Sequence, residues 1–244
     1  MGQKSREALL KRNCGSMKNR ELFEFKHFTH EHIEEAEKAV NLFLTVASVH
    51  DSMRLQPEEA VEVTKWFVNS NLLNGLSIGA FNKETGELVA LGLMSKEPYG
   101  IVPDSSGIPE CYQKQHRLQE SVKGDIVSGK PTEMGSYMNH KLVVVQPEYA
   151  QIGLATELFF ISIEVAKSLG CYEFGGSMSN YYFFKMKMRR DFYVNKSVRL
   201  VDYVDSKTGM KPFTDAKPPH DLFYWVNHIL FPEKSKILTL CCEE

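Results

Sequence analysis

The stretch from Lys141 to Gly170, KLVVVQPEYAQIGLATELFFISIEVAKSLG, decides how the rest of the chain folds. Leu142, Val143, Val144 and Val145 form a short apolar run suited to a buried strand. Pro147 has no N–H to give a sheet ladder, so strand pairing is expected to stop there. A tight turn with small residues follows, Gln151-Ile152-Gly153-Leu154-Ala155. Beyond it Leu154, Leu158, Phe159, Ile161, Val165 and Leu169 repeat at helical spacing, and Gly170 suits a left-handed helix end. The pattern predicts strand, glycine turn, helix. Such a turn points free backbone N–H groups and the positive helix end at one place, which makes an anion site.

Two phosphate-loop patterns do not fit. A Walker loop needs Lys-Ser/Thr after its last glycine, where Leu154-Ala155 stands, and a dinucleotide fingerprint needs three spaced glycines. Val145-Gln146-Pro147-Glu148-Tyr149 and then Gly153-Leu154-Ala155 resemble the acetyl-CoA segment of the GNAT N-acetyltransferases. The resemblance implies a pantetheine arm along Leu142–Val145, with the Val144 and Val145 amides at the thioester oxygen. It also implies a pyrophosphate on the amides of Gln151, Ile152, Gly153, Leu154 and Ala155. Ala150 stands where the family usually carries Arg or Gln, so weaker phosphate binding is expected there.

The 244 residues allow one large domain or two small ones, and 43% hydrophobic content suffices for a core. A net charge of -2 gives no general reason to bind nucleic acid or an acidic membrane. Five cysteines, without paired spacing, read as reduced thiols of a cytoplasmic protein and predict no metal. No apolar run reaches the roughly 18 residues of a membrane span. Neither Met1-Gly2 nor Cys241 sits in a full lipidation motif. Residues 1–20 read as a flexible basic arm, 21–231 as a single domain, and 232–244 as a tail.

Leu22, Phe23, Phe25 and Phe28 predict a first strand, and Thr29 caps a helix with Ile33, Ala36, Val40, Phe43 and Leu44 on its apolar face. His27, His30 and His32 straddle that boundary and read as solvated or capping groups. Pro57 opens a second helix. Ser77–Phe81 and Leu88–Met94 read as a hairpin. From 95 to 135 Pro and Gly interrupt the pattern, with one helical patch around Tyr112–Val122, as in a lid over a substrate site. Tyr172–Gly175 reads as a strand, Tyr181–Arg190 as a helix, and Ser197–Val204 with Leu222–Leu230 as a final antiparallel pair.

This order of elements is that of the GNAT fold. The resemblance implies an α+β protein whose mixed sheet of about seven strands is flanked by about four helices and splayed at the central strands. Phe213 to Pro219-His220 is similar to a late segment of the insect-type arylalkylamine N-acetyltransferases, and Ser177, Ser179 and Asn180 are partial counterparts of their paired hydroxyls. Asn180 is counted with the cofactor site. The implied activity is direct acetyl transfer from acetyl-CoA to a small primary amine, by a monomer or weak dimer. The family's general-base Glu-Pro pair is missing, since Val46-Ala47-Ser48-Val49 is followed by acid only at Asp51. Lys187 or Met188 stands where many members place a tyrosine acid.

Transfer needs a group to take the amine proton and a group to protonate the sulfur. His220 is the favoured base, with His50 or Asp51 as second group. Ser179, Tyr181 and Tyr182 are candidates at the sulfur, though all of these can equally be ordinary loop or packing side chains. A CoA-binding module without catalysis, and an acetylase of polyamines or of protein N-termini or lysines, remain as other readings.

Overall fold

The computed structural model describes Leu10 and residues 20–46, 55–72, 75–99, 107–128 and 135–231. In chain order the elements are β1 (Phe23–His27), α1 (Ile33–Val46), α2 (Pro57–Leu72), β2 (Ile78–Asn82), β3 (Leu88–Pro98), α3 (Gln113–Ser128), β4 (Ser136–Val145), α4 (Leu154–Ser168), β5 (Glu173–Met178), α5 (Tyr181–Met188), β6 (Tyr193–Arg199) and β7 (Leu222–Ile229). Seven strands form one sheet in the order β1-β2-β3-β4-β5-β7-β6. All neighbours are antiparallel except β4 and β5, which α4 joins as a parallel crossover.

The sheet is covered on both faces. Phe159, Ile161 and Val165 of α4 pack with Ala80, Val89 and Phe174. On the other face Ala36 and Val40 of α1 and Val63 and Phe67 of α2 pack with Leu91, Leu93, Leu142 and Val144. Along Leu142–Val145 the side chains alternate between these two cores, as a strand requires. At the start of α1, the Thr29 N–H donates to His32 Nδ1 at 3.3 Å, so His32 is a capping residue. Among the described residues no helix is long and apolar enough to cross a membrane.

Several boundaries differ from the sequence expectation. β4 starts at Ser136, six residues before the apolar run, because Tyr137, Met138, Asn139 and His140 are also buried between neighbours. β5 continues through Gly176 to Met178, since β7 supplies partners as far as Met178↔Tyr224. β6 begins at Tyr193 and ends at Arg199, where Ser197–Val204 was expected, because Leu200–Asp202 turns into a 3-10 helix. Five α-helices stand among the described residues, the extra one being α3, which the helical patch at Tyr112–Val122 foreshadowed.

Candidate active site

β4 and β5 pair only over Tyr137↔Glu173, Met138↔Phe174 and Asn139↔Gly175, and then part. A Cβ on Gly176 would lie 2.6 Å from the His140 carbonyl oxygen, so glycine permits the close approach at the fork. On its other side β4 carries a bulge. Leu142 pairs with Leu93 and His140 with Met94, which leaves Lys141 outside the register. Beyond the fork opens a cavity of about 490 Å³. One wall holds Leu142–Val145, with Ala155 and Thr156 of α4; another holds Ser177, Ser179, Asn180 and Lys187. Phe67 of α2, Tyr112, Gln115 and Gln119 from the 95–135 segment, and Phe223 complete it.

The turn into α4 has the expected form. Gln151 has φ 66° and Gly153 φ 100°, both left-handed, and the helix ladder begins with Glu157 N–H on the Gly153 carbonyl at 2.9 Å. The N–H groups before it have no carbonyl of their own helix to meet. Ala150, Gln151 and Ile152 are exposed, while Leu154 turns its side chain into the core. Glu157 is fully buried in the first turn and ion-paired with Arg20 at 3.1 Å, which anchors this end of the helix.

His220, Ser179 and Asn180 reach the same cavity, although His220 comes from a separate loop. The Tyr181 N–H donates to His220 Nδ1 at 3.2 Å, so the neutral ring carries its proton on Nε2. Asn180 Oδ1 caps α5 by accepting from the Phe183 N–H at 2.9 Å. The Tyr181 ring lies against Tyr182 and beneath Lys185, while Tyr182 reaches the cavity wall. His50 and Asp51 lie outside the described residues.

Two buried cavity residues, Gln115 and His140, gave no sequence signal. Gln115 is buried and its Oε1 has no hydrogen-bond partner among the described residues. His140 is buried on β4, and its burial, helped by the neighbouring charge of Lys187, keeps it neutral, with a pKa well below the usual histidine value. Lys187 is 1% exposed, and burial lowers its pKa from 10.5 to about 7. Lys187 lies in the run YYFFKMKM, where the sequence left Lys187 or Met188 at the place of the family's tyrosine acid, and the structure buries the lysine. Beside the cavity-lining Lys141, Glu97 takes hydrogen bonds from Lys123 of α3, from Lys141, Asn139 and Tyr137, and this cluster holds its carboxyl far below the usual range against the cost of burial. Arg117 of α3 grips Asp205 at 2.7 Å.

A seven-stranded mixed sheet that opens between its two central parallel strands, with a glycine turn entering the crossover helix at that opening, is the fold of the GNAT N-acetyltransferases. Among solved structures, arylalkylamine N-acetyltransferase 2 from Aedes aegypti has a TM-score of 0.72 at 17% identity, covering 85% of this chain and 99% of its own. The C-terminal condensation domain of Ebony, in complex with beta-alanyl-dopamine, has a TM-score of 0.72 at 14% identity, covering 87% and 99%. The polyamine N-acetyltransferase of Drosophila melanogaster has a TM-score of 0.62 at 13% identity, covering 85% and 99%. At these identities the likeness is one of fold. No family model matches the sequence, and no curated protein matches it by sequence.

Proposed function

We propose that the chain is an acetyl-CoA-dependent N-acetyltransferase acting on a small primary amine, an arylalkylamine. One observation carries this reading: the parted edge of β4, Ala155 and Thr156 in the first turn of α4, and an aromatic wall all border a single cavity. Acetyl-CoA supplies an acetyl group activated as a thioester. The Gln146 N–H donates to the Val89 carbonyl of β3, so by strand alternation the Val144 amide also faces β3, while the amides of Val143 and Val145 face the fork. That free edge of Leu142–Val145 holds the arm that carries the acetyl group, and the Val145 amide, without the expected help of Val144, receives the developing charge on the carbonyl oxygen. The amides from Gln151 to Ala155 hold the pyrophosphate, with Ala150 adding no charge. Asn180 keeps its Nδ2 for the same ligand while its oxygen caps α5.

On the acceptor side Phe67, Tyr112 and Phe223 offer faces for an aromatic ring. The ionisable side chains in the described wall are Lys141, Lys187, His140, His220, Tyr112 and Tyr182, with no carboxylate among them. A polyamine would bring a second positive charge and find no acid there, which favours an arylalkylamine. The solved neighbours named for arylalkylamines and for beta-alanyl-dopamine support the same choice. His220 takes the amine proton once its Nδ1 turns away from the Tyr181 N–H, and Ser179 stands by to hydrogen-bond the reacting groups. The described part of the 95–135 segment, through α3, closes the acceptor side, in keeping with a lid. A cytoplasmic monomer or weak dimer belongs to the same reading.

The test is release of free thiol from acetyl-CoA with dopamine or with agmatine as acceptor. Thiol release that depends on dopamine and is much weaker with agmatine is the expected result. CoA binding by calorimetry without release for any amine would establish a CoA-binding module instead.

A further inference from the structure

Five charged side chains are buried among the described residues: Lys123, Glu157, Glu173, Asp205 and Lys187. Four of them have partners that account for their burial. Lys123 pairs with Glu97, Glu157 with Arg20 and Asp205 with Arg117, while Glu173 accepts from Tyr99, Tyr193 and Asn227. Lys187 has neither a carboxylate nor a carbonyl partner among the described residues. Its Nζ lies 5.3 Å from the ring centre of Phe159, 5.9 Å from Phe174, 5.2 Å from Phe183 and 5.3 Å from Phe192. The phenyl faces favour the ammonium, yet they replace only part of the hydration lost on burial. A methionine would fill the same space without that cost, so stability alone does not account for the lysine.

The lysine is also placed where an anion would form. It borders the cavity beside Phe183 and Met186, together with His140 and the parted edge of β4. We propose that Lys187 is the catalytic acid of this site, giving a proton to the sulfur that leaves the thioester. This rests on the acetyl-transfer reading above. As the C–N bond to the amine forms and the C–S bond breaks, the electron pair of the C–S bond goes to sulfur. Lys187 passes one ammonium proton to it, an S–H bond forms, and the lysine is left as a neutral amine that regains a proton from water. The cage holds the ammonium without tying it to a carboxylate, so the proton is available to the thiolate. The elements around it leave that role unopposed: α4, β5, α5 and the segment before β6 present Phe159, Phe174, Phe183 and Phe192, and β4 presents His140, which is neutral.

The experiment titrates the thiol of CoA bound to the full chain, by thiolate absorbance, in the parent and in Lys187→Met. An ammonium beside the sulfur favours the thiolate, so the bound thiol should ionise roughly one pH unit or more lower in the parent. Lys187→Gln gives the same comparison if the methionine variant fails to fold. In turnover with dopamine, Lys187→Met should lose about 10²-fold in kcat with KM for acetyl-CoA little changed. The parent rate should fall as pH rises past the titration of Lys187, and the variant should lack that alkaline limb. Equal thiol titration in parent and variant overturns the proposal, as does an unchanged kcat with the limb intact. Finding an acetyl group on Lys187 itself after incubation with acetyl-CoA also overturns it, since the lysine would then be an acceptor. Failure of CoA to bind the parent sinks the acetyl-transfer reading as well, whereas binding that ignores Lys187 sinks only this one.

Discussion

Replacing Lys187 by methionine should change the pH dependence of stability in a way that no surface lysine could. The side chain titrates at the ordinary 10.5 when unfolded and at about 7 in the fold. Between these values the unfolded chain binds more protons than the native one, so the stability of the parent rises with pH through that window. Around pH 6 the lysine is charged in both states and the fold carries the whole difference, about 5 kcal/mol at roughly 1.36 kcal/mol per pKa unit. Near pH 10 only about 1 kcal/mol of that remains, because the folded lysine is neutral and the unfolded one is losing its proton. Lys187→Met removes the group from both states. The variant should be the more stable protein at pH 6, and its advantage should shrink by about 4 kcal/mol on going to pH 10. Tyrosines and cysteines that ionise at high pH are present in both proteins and cancel in the difference. Urea unfolding followed by circular dichroism, in steps of about one pH unit across this range, measures it. Two stability curves that run parallel would show that Lys187 keeps its ordinary affinity for protons, and the reasoning about its burial would fail.

Gly153→Val puts a β-branched side chain at φ 100°, on the turn whose amides are read as the pyrophosphate site. CoA affinity should fall by at least about 100-fold, roughly 3 kcal/mol, with the far-ultraviolet spectrum retained, and unchanged affinity by calorimetry would remove the site from this turn. His220→Ala should lower turnover by about 10²–10⁴-fold while leaving CoA affinity near parent. His220→Asn can still accept from the Tyr181 N–H, so parental turnover in that variant would reduce His220 to an anchor for α5. If alanine also keeps parental turnover, the base lies elsewhere, with His50 and Asp51 next to test. Gly176→Ala sets a Cβ 2.6 Å from the His140 carbonyl oxygen and should cost about 1–3 kcal/mol, read as a lower urea midpoint. An unmoved midpoint would mean that the fork between β4 and β5 opens without strain.

The sequence by itself determined the parts whose signals are local. Val143–Val145, Pro147, Gly153 and the apolar spacing to Leu169 specify strand, turn and helix from neighbours a few residues apart, and the left-handed turn at Gly153 is built into that local chain. The hairpin of β2 and β3, the helix after Thr29 and the general order of elements were legible for the same reason. Strand length was not. The start of β4 carries Asn139 and His140, polar residues that are buried only because β3 and β5 flank them, and Gly175-Gly176 continues β5 only because β7 pairs with it. Which side chains meet in the cavity was decided by the tertiary structure alone. Lys185 and Lys187 differ by two positions on one short helix, so about 200° of rotation separates an exposed side chain from a buried one, and only the packing of α5 on Phe159, Phe174 and Phe192 chooses between them. Gln115 and His220 reach the same space from α3 and from the loop before β7. Their meeting depends on contacts between distant parts of the chain, which no periodicity in the sequence records.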